Sequence, residues 1–125
     1  MSQTLGISDL GSVDYPVSIF ASNRETPQVP NITLGAGQGV VLKGTCLGIK
    51  TADGKYYKYK SDASDGTEVF VGILGVEVDT TSADALAFMY VGGDFLKENL
   101  FAYEEADVPA AGAYVYNNII IKEGV

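Results

Sequence analysis

A strand that alternates apolar and polar residues can leave one face in water, whereas "VFVGILGVEV" (residues 69–78) is apolar on both faces up to Gly75. A run of this kind must be covered on each side, which predicts a central strand lying between two apolar layers. Gly72 and Gly75 within it permit close backbone approach or a bulge.

The surrounding chain has the same grammar. From Gly39 onward, β-branched and aromatic runs alternate with Gly and Asp punctuation, which predicts strands at short intervals. "GVVLKGT" reads as a strand, and "CLGIKTADGKYYKYK" as a hairpin turning at Asp53 and Gly54, the dipeptide suited to a type I′ turn. In "KYYKYK", Tyr57 and Tyr59 share one face while Tyr56, Lys58 and Lys60 share the other, predicting one half-buried side and one wet side. In "ADALAFMYVGGDF", Leu86, Phe88 and Tyr90 alternate with Ala87, Met89 and Val91, and Gly92 and Gly93 turn the chain. "FLKENLFAYEEA" is the best helical candidate, with Leu96, Leu100 and Tyr103 at helical spacing and Pro109 beyond its end; an irregular loop is the alternative. "AYVYNNIIIKEG" reads as two short strands around Asn117 and Asn118, or as one bent strand.

Residues 1–38 differ from the rest. Pro16, Pro27 and Pro30 interrupt them and the apolar residues come in short clusters, the pattern of an extended N-terminal arm followed by a β-rich domain over residues 39–125. A solvated leader would explain the polarity. However, "VDYPVSIFAS" carries Tyr15, Val17, Ile19 and Phe20, more apolar surface than such a leader needs, so this segment is expected to lie against its own domain or a partner.

At 125 residues the chain fits one domain with a real core. Its net charge is −8, with 8 basic and 16 acidic residues, and the acidic excess sits in the second half. That balance argues against binding nucleic acid by counterion release and against docking on an anionic membrane. The N-terminus has neither the basic start nor the apolar centre of a secretory signal, and no stretch has the apolar length of a membrane span, so folding in the cytoplasm is the expectation. Cys46, the single cysteine, reads as a small core residue.

Chemistry finds little support. With no histidine in the chain, Ser–His and Cys–His nucleophiles and His-ligated metal sites are excluded. The spacing from Gly39 to Gly44 in "LGAGQGVVLKGT" matches a phosphate loop, but Lys43 precedes Gly44 where the motif needs it afterwards and a strand follows where a helix should begin. Aligning "SDASDGTEV" with a calcium loop puts Ser61, Ala63 and Asp65 at the first, third and fifth positions and Gly72 at the twelfth, leaving a single carboxylate. The acidic cluster "YEEAD" offers Glu104 and Glu105 for a carboxylate pair, yet a solvated acidic face is the simpler reading, and there is no Trp to stack a sugar. Asn31, Ile32 and Thr33 form a glycosylation sequon that a chain without a signal peptide would not have modified. No catalytic, cofactor or metal site is therefore expected. Apolar strands covered on both faces plus an extended arm suit a chain that pairs with other chains.

"KTADGKYYKYKSDASDGTEVFVGILGVEVDTT" followed by "LAFMYVGGDFLKENL" resembles the head decoration proteins of tailed bacteriophages, the family typified by the small D protein of phage lambda. The shared order is an aromatic-polar strand, a polar loop ending in Asp-Gly, the "VGIL" strand, the acidic loop of Asp79, Thr80, Thr81 and Ser82, a hydrophobic strand, and the turn from Gly93 to Phe95. Lys43, Gly44 and Thr45, and the terminal "NIIIK", fall where the family has its starting and last strands. The resemblance implies a mainly β fold, a small barrel or sandwich with an extended arm and at most one short helix. It implies a homotrimer on the outer surface of the expanded virion head, clamping the major capsid protein at three-fold and quasi-three-fold positions, with no enzyme activity and no cofactor. It also implies that Tyr15, Val17, Ile19 and Phe20 belong to a capsid-binding arm. A tail or fibre β module is the alternative function.

Overall fold

The computed structural model describes residues 20–21 and 26–123. The chain is mainly β, and its described residues form ten short strands: β1 (Gln28–Leu34), β2 (Val40–Val41), β3 (Cys46–Ile49), β4 (Tyr56–Lys58), β5 (Gly72–Leu74), β6 (Val78–Asp79), β7 (Ala85–Tyr90), β8 (Gly93–Leu96), β9 (Gly112–Tyr114) and β10 (Ile119–Lys122). Five of them close a barrel in the order β1-β4-β3-β5-β7. Three form a sheet, β9-β10-β8, and β2 pairs with β6 in a two-stranded ribbon.

Side-chain alternation divides the apolar residues between two cores. Ile32 and Leu34 of β1, Leu47 of β3, Leu74 of β5 and Met89 of β7 cluster together with Val41 inside the barrel. Their neighbours in sequence, Cys46, Ile73 and Tyr90, turn the other way and meet Phe95, Ile119 and Ile121 of the three-stranded sheet. The barrel wall therefore has an apolar layer on each side, which is why the "VGIL" strand has no polar face. Leu47, Ile73, Leu74, Phe95 and Ile119 are fully buried, and each contributes about 1.5–3 kcal/mol of transfer free energy.

The barrel wall is thin at its glycines. A side chain at Gly72 would strike Met89, and one at Gly75 would strike the Phe88 ring, whereas the Gly75 N–H as it stands reaches the Phe88 carbonyl at 2.9 Å. Close approach is thus what these positions provide.

Strand β1 lies within the stretch that the sequence groups with the arm. Its ladder against β7 runs Gln28 to Tyr90 and Val29 to Met89, then resumes at Ile32 opposite Ala87. Pro30 and Asn31 fill the resulting bulge, with Asn31 at φ 58°. A bulge is where a strand accommodates a residue that lacks an N–H, so the proline that reads as an interruption is built into the barrel.

The β3–β4 hairpin forms with Leu47 opposite Lys58 and Ile49 opposite Tyr56. Its turn is longer than the two-residue type I′ reading. The Lys50 N–H meets the Lys55 carbonyl at 3.0 Å, and the Gly54 N–H folds back to the Lys50 carbonyl at 2.8 Å. Gly54 is left-handed at φ 70° and Asp53 is not; a type I′ turn requires both. Asp53 instead accepts the Lys55 N–H at 2.9 Å and the Tyr57 hydroxyl at 2.8 Å. Residues 56–60 are all half-buried. Tyr56, on the side expected to be wet, packs on the barrel core, while Tyr59 packs on the other core.

Gly92 and Gly93 do turn the chain, but out of the barrel into the second sheet, where β8 runs parallel to β10. The helical candidate is two isolated 3₁₀ turns, Lys97–Asn99 and Glu105–Asp107, and no α-helix occurs among the described residues. The chain ends in two strands rather than one bent strand, with Tyr114 paired to Ile119. The loop between them places Val115, Tyr116 and Asn117 consecutively in left-handed conformation, at φ 52°, 57° and 67°.

Candidate functional site

Of the four residues expected in a capsid-binding arm, Tyr15, Val17 and Ile19 lie outside the described residues, and Phe20 lies within them. Phe20 forms an antiparallel bridge with Phe95, and the next N–H, that of Ala21, donates to the Asp94 carbonyl at 2.8 Å. Residues 20 and 21 thereby extend the three-stranded sheet at the edge of β8. The Phe20 ring meets Tyr90 edge-on at 5.3 Å and Phe95 at 5.4 Å, and Tyr90 in turn meets Phe88 edge-on at 5.6 Å. Contacts of this geometry add about 0.5–1.5 kcal/mol each beyond area burial. The Lys43 ammonium caps the cluster 5.9 Å from the Phe20 centroid. Phe20 is therefore fastened to the domain by both backbone and ring.

A second feature is a groove of about 490 Å³ between the barrel mouth and the neighbouring loops. The loop of Ala36, Gly37 and Gln38 forms one side. Tyr57, Lys58 and Lys60 come from β4 and the residues after it, Lys50 from the hairpin turn, Asp65 and Thr67 from the polar loop, and Tyr103 from the segment between the 3₁₀ turns. Thr80 holds the first loop: its hydroxyl donates to the Gly39 carbonyl at 2.9 Å and accepts the Gln38 N–H at 3.2 Å. Two of the lysine heads rest on rings, Lys50 at 4.2 Å from the Tyr57 centroid and Lys60 at 5.0 Å from that of Tyr103. Sequence reading placed Lys58 and Lys60 on one face of a strand but could not bring Gln38, Thr67 and Tyr103 to them.

Asp65 of the calcium-like loop and Asp107 of the acidic cluster are engaged in local structure. Asp65 accepts both the N–H and the hydroxyl of Thr67, at 3.0 and 2.6 Å, and those bonds hold its carboxyl below the usual aspartate range. Asp107 accepts the Ser61 hydroxyl at 2.5 Å, the Ser61 N–H at 3.1 Å and the Glu104 N–H at 3.1 Å. It is likewise lowered, chiefly by the Ser61 hydroxyl. Asp107 thus ties the polar loop to the second 3₁₀ turn. Gly39 and Gly44 sit in turns of left-handed φ, 71° and 95°, and the Gly44 N–H is already bonded to the Leu74 carbonyl at 2.9 Å, so this turn is part of the fold's own ladder. Among the described residues no group of three or more carboxylate or thiol side chains is placed to hold a metal ion, and no helix is long and apolar enough to cross a membrane.

No curated protein matches the chain. The model of the bacteriophage lambda head decoration protein D family matches residues 19–117, from the seat of Phe20 through both cores to the left-handed loop. The chain belongs to this family of head decoration proteins, which is a structural family of the phage capsid and not a family of enzymes.

Proposed function

We propose that the protein binds as a homotrimer to the outer surface of the expanded phage head, at three-fold and quasi-three-fold positions, and stabilises the shell against the pressure of packaged DNA. Its partner is the major capsid protein. The arm residues Tyr15, Val17, Ile19 and Phe20 carry the contact, with Phe20 as the point where arm and domain join. The observation supporting this reading is the bridge from Phe20 to Phe95 at the sheet edge, because a binding segment anchored on a rigid sheet transmits load to both cores.

Ordering one arm is costly, at roughly 1–2 kcal/mol of backbone entropy per residue. Three arms on one trimer reinforce each other: effective concentration raises avidity by about 10²–10⁴ without new contacts. The role therefore favours an oligomer.

The test is co-sedimentation with expanded, empty heads, with tails as the comparison. The full chain is expected to pellet with heads. A variant lacking residues 1–18, which keeps Phe20, is expected to remain folded and to lose most of its binding. Failure of the full chain to pellet with heads, or pelleting with tails instead, sinks the proposal; unchanged binding by the truncated chain removes the arm from it.

A further inference from the structure

We propose that the groove lined by Lys50, Lys58 and Lys60 is a docking site for an acidic peptide segment of a partner chain. Three of the chain's eight basic residues converge there, in a molecule of net charge −8. Other lysines are neutralised locally: Lys55 by Asp84 at 2.6 Å and Lys122 by Asp94 at 3.7 Å. In the groove Lys50 and Lys58 make no ion pair among the described residues, and Asp53 and Asp65 act on Lys50, as Asp107 does on Lys60, only through space. Ring faces hold the Lys50 and Lys60 ammoniums in place without cancelling their charge. Asp62 stands 3.9 Å from Lys60 but is 80% exposed, a pair too solvated to neutralise it. The one carboxylate in the lining, Asp65, has an oxygen committed to Thr67.

The groove is thus a concave site whose lining carries three cations to one anion, on residues that are already half-buried. Stems packed in advance lose less rotamer freedom when a ligand arrives. A short run of Asp or Glu can reach the three lysines without spanning the acidic remainder of the molecule. A nucleic acid would bring a continuous line of phosphates against the acidic remainder of the molecule, so charge complementarity favours peptide. This proposal rests on the decoration reading only for the identity of the partner, a segment of the shell.

The test is an NMR titration of the full ¹⁵N-labelled chain with a blocked hexapeptide of alternating Asp and Glu. A blocked hexalysine and a single-stranded oligonucleotide serve as comparisons. Saturable, salt-sensitive shifts confined to the groove are expected with the acidic peptide alone. Lys50→Met, Lys58→Met and Lys60→Met keep the apolar stems and each weaken binding by about two- to fivefold, the triple variant by at least about tenfold. The triple Lys→Arg variant keeps both charge and binding. Shifts elsewhere, equal binding by the Met triple variant, loss of binding in the Arg variant, or preference for the oligonucleotide would each overturn the proposal. Co-sedimentation with heads separates the two readings. A Met triple variant that pellets as well as the parent chain refutes the groove and leaves decoration intact, whereas a parent chain that binds the peptide at the groove but no heads supports the groove and refutes decoration.

Discussion

The side chain of Gln38 stands in for a strand beside Lys58. Its amide oxygen accepts the Lys58 N–H at 2.9 Å, and its amide nitrogen donates to the Gly35 and Tyr56 carbonyls at 2.9 and 3.2 Å. The backbone needs this help because β1 and β4 are paired only at Leu34 and Tyr56; beyond that point the barrel seam would open. Gln38→Ala is expected to cost about 2 kcal/mol, since it leaves the Lys58 N–H and the Gly35 carbonyl to water at a half-buried site, while the Tyr56 carbonyl keeps the Gly35 N–H at 3.0 Å. Gln38→Glu should not restore it, because a carboxylate accepts from Lys58 but meets two carbonyls with no proton to offer. Chemical denaturation of both variants checks this; a loss below about 0.5 kcal/mol for both would show that the seam closes without the amide.

How much of this was legible beforehand follows from what each feature depends on. The burial of both faces of the "VGIL" strand, and the split of Phe88 and Tyr90 from Ala87 and Met89, follow from two-residue alternation and are readable directly. That two different cores cause the split depends on β8 and β10 packing across the barrel wall, a long-range contact with no local signature. Strand β1 reads as arm because Pro30 and the polar residues around it mimic a linker, and only the pairing with β7 shows that the proline sits in a bulge. The two 3₁₀ turns defeat the helical spacing of Leu96, Leu100 and Tyr103 because long-range bonds claim the backbone between them. The Phe101 N–H reaches the Gly44 carbonyl at 3.0 Å and the Tyr103 N–H the Tyr59 carbonyl at 3.0 Å. The groove is the least legible feature, since its lining is drawn from five separate stretches of chain.

At Gly48 the hairpin lies close against the backbone of the polar loop. A Cβ there would lie 2.6 Å from the Thr67 carbonyl oxygen and 2.7 Å from its Cα, backbone atoms that cannot rotate away. Gly48→Ala is therefore expected to destabilise the fold by about 1–3 kcal/mol and to loosen residues 61–68 over the hairpin. Thermal unfolding together with hydrogen exchange at Thr67 reads both effects, and a neutral substitution would mean that the loop can shift without cost.

Acid should loosen the polar loops before the cores. Asp107 is held below its ordinary value of 3.8 by Ser61 and Glu104. Asp65 and Asp79 are lowered in the same way by Thr67 and Thr81. A carboxyl whose folded value is depressed contributes stability that is fully present above the unfolded value and is lost as pH falls through the folded one. Denaturation midpoints should thus be level above about pH 5 and fall from about pH 4 downward. Asp107→Asn should be less stable than the parent at neutral pH and show a shallower acid decline; an unchanged acid limb would remove Asp107 from the account.

Cys46 is fully buried in the core between barrel and sheet, and burial pushes its thiol up to about 12. At pH 8 the thiolate fraction is about one in ten thousand, and the thiolate is the reactive species. Alkylation by iodoacetamide should accordingly be negligible in the native protein and complete in denaturant, as mass spectrometry can follow. Rapid labelling of the native chain would indicate that this core opens on the timescale of the reaction.

Tyr116 is 97% exposed and stands in the middle of three consecutive left-handed residues. Left-handed backbone costs a side chain with a Cβ about 1–2 kcal/mol, whereas glycine adopts it freely. With its ring in solvent, Tyr116 has no burial to lose on truncation. Tyr116→Gly trades relief of that strain against the greater entropy of glycine in the unfolded chain, so the net gain is expected to be about 0.5–1 kcal/mol. Val115→Gly makes the informative contrast: Val115 shares the left-handed conformation but packs against the core between barrel and sheet, so loss of its contacts should cancel or exceed the relief. Equilibrium denaturation of the two variants separates these effects. A loss of stability in Tyr116→Gly as large as that in Val115→Gly would show that the tyrosine ring is held by contacts its exposure does not suggest.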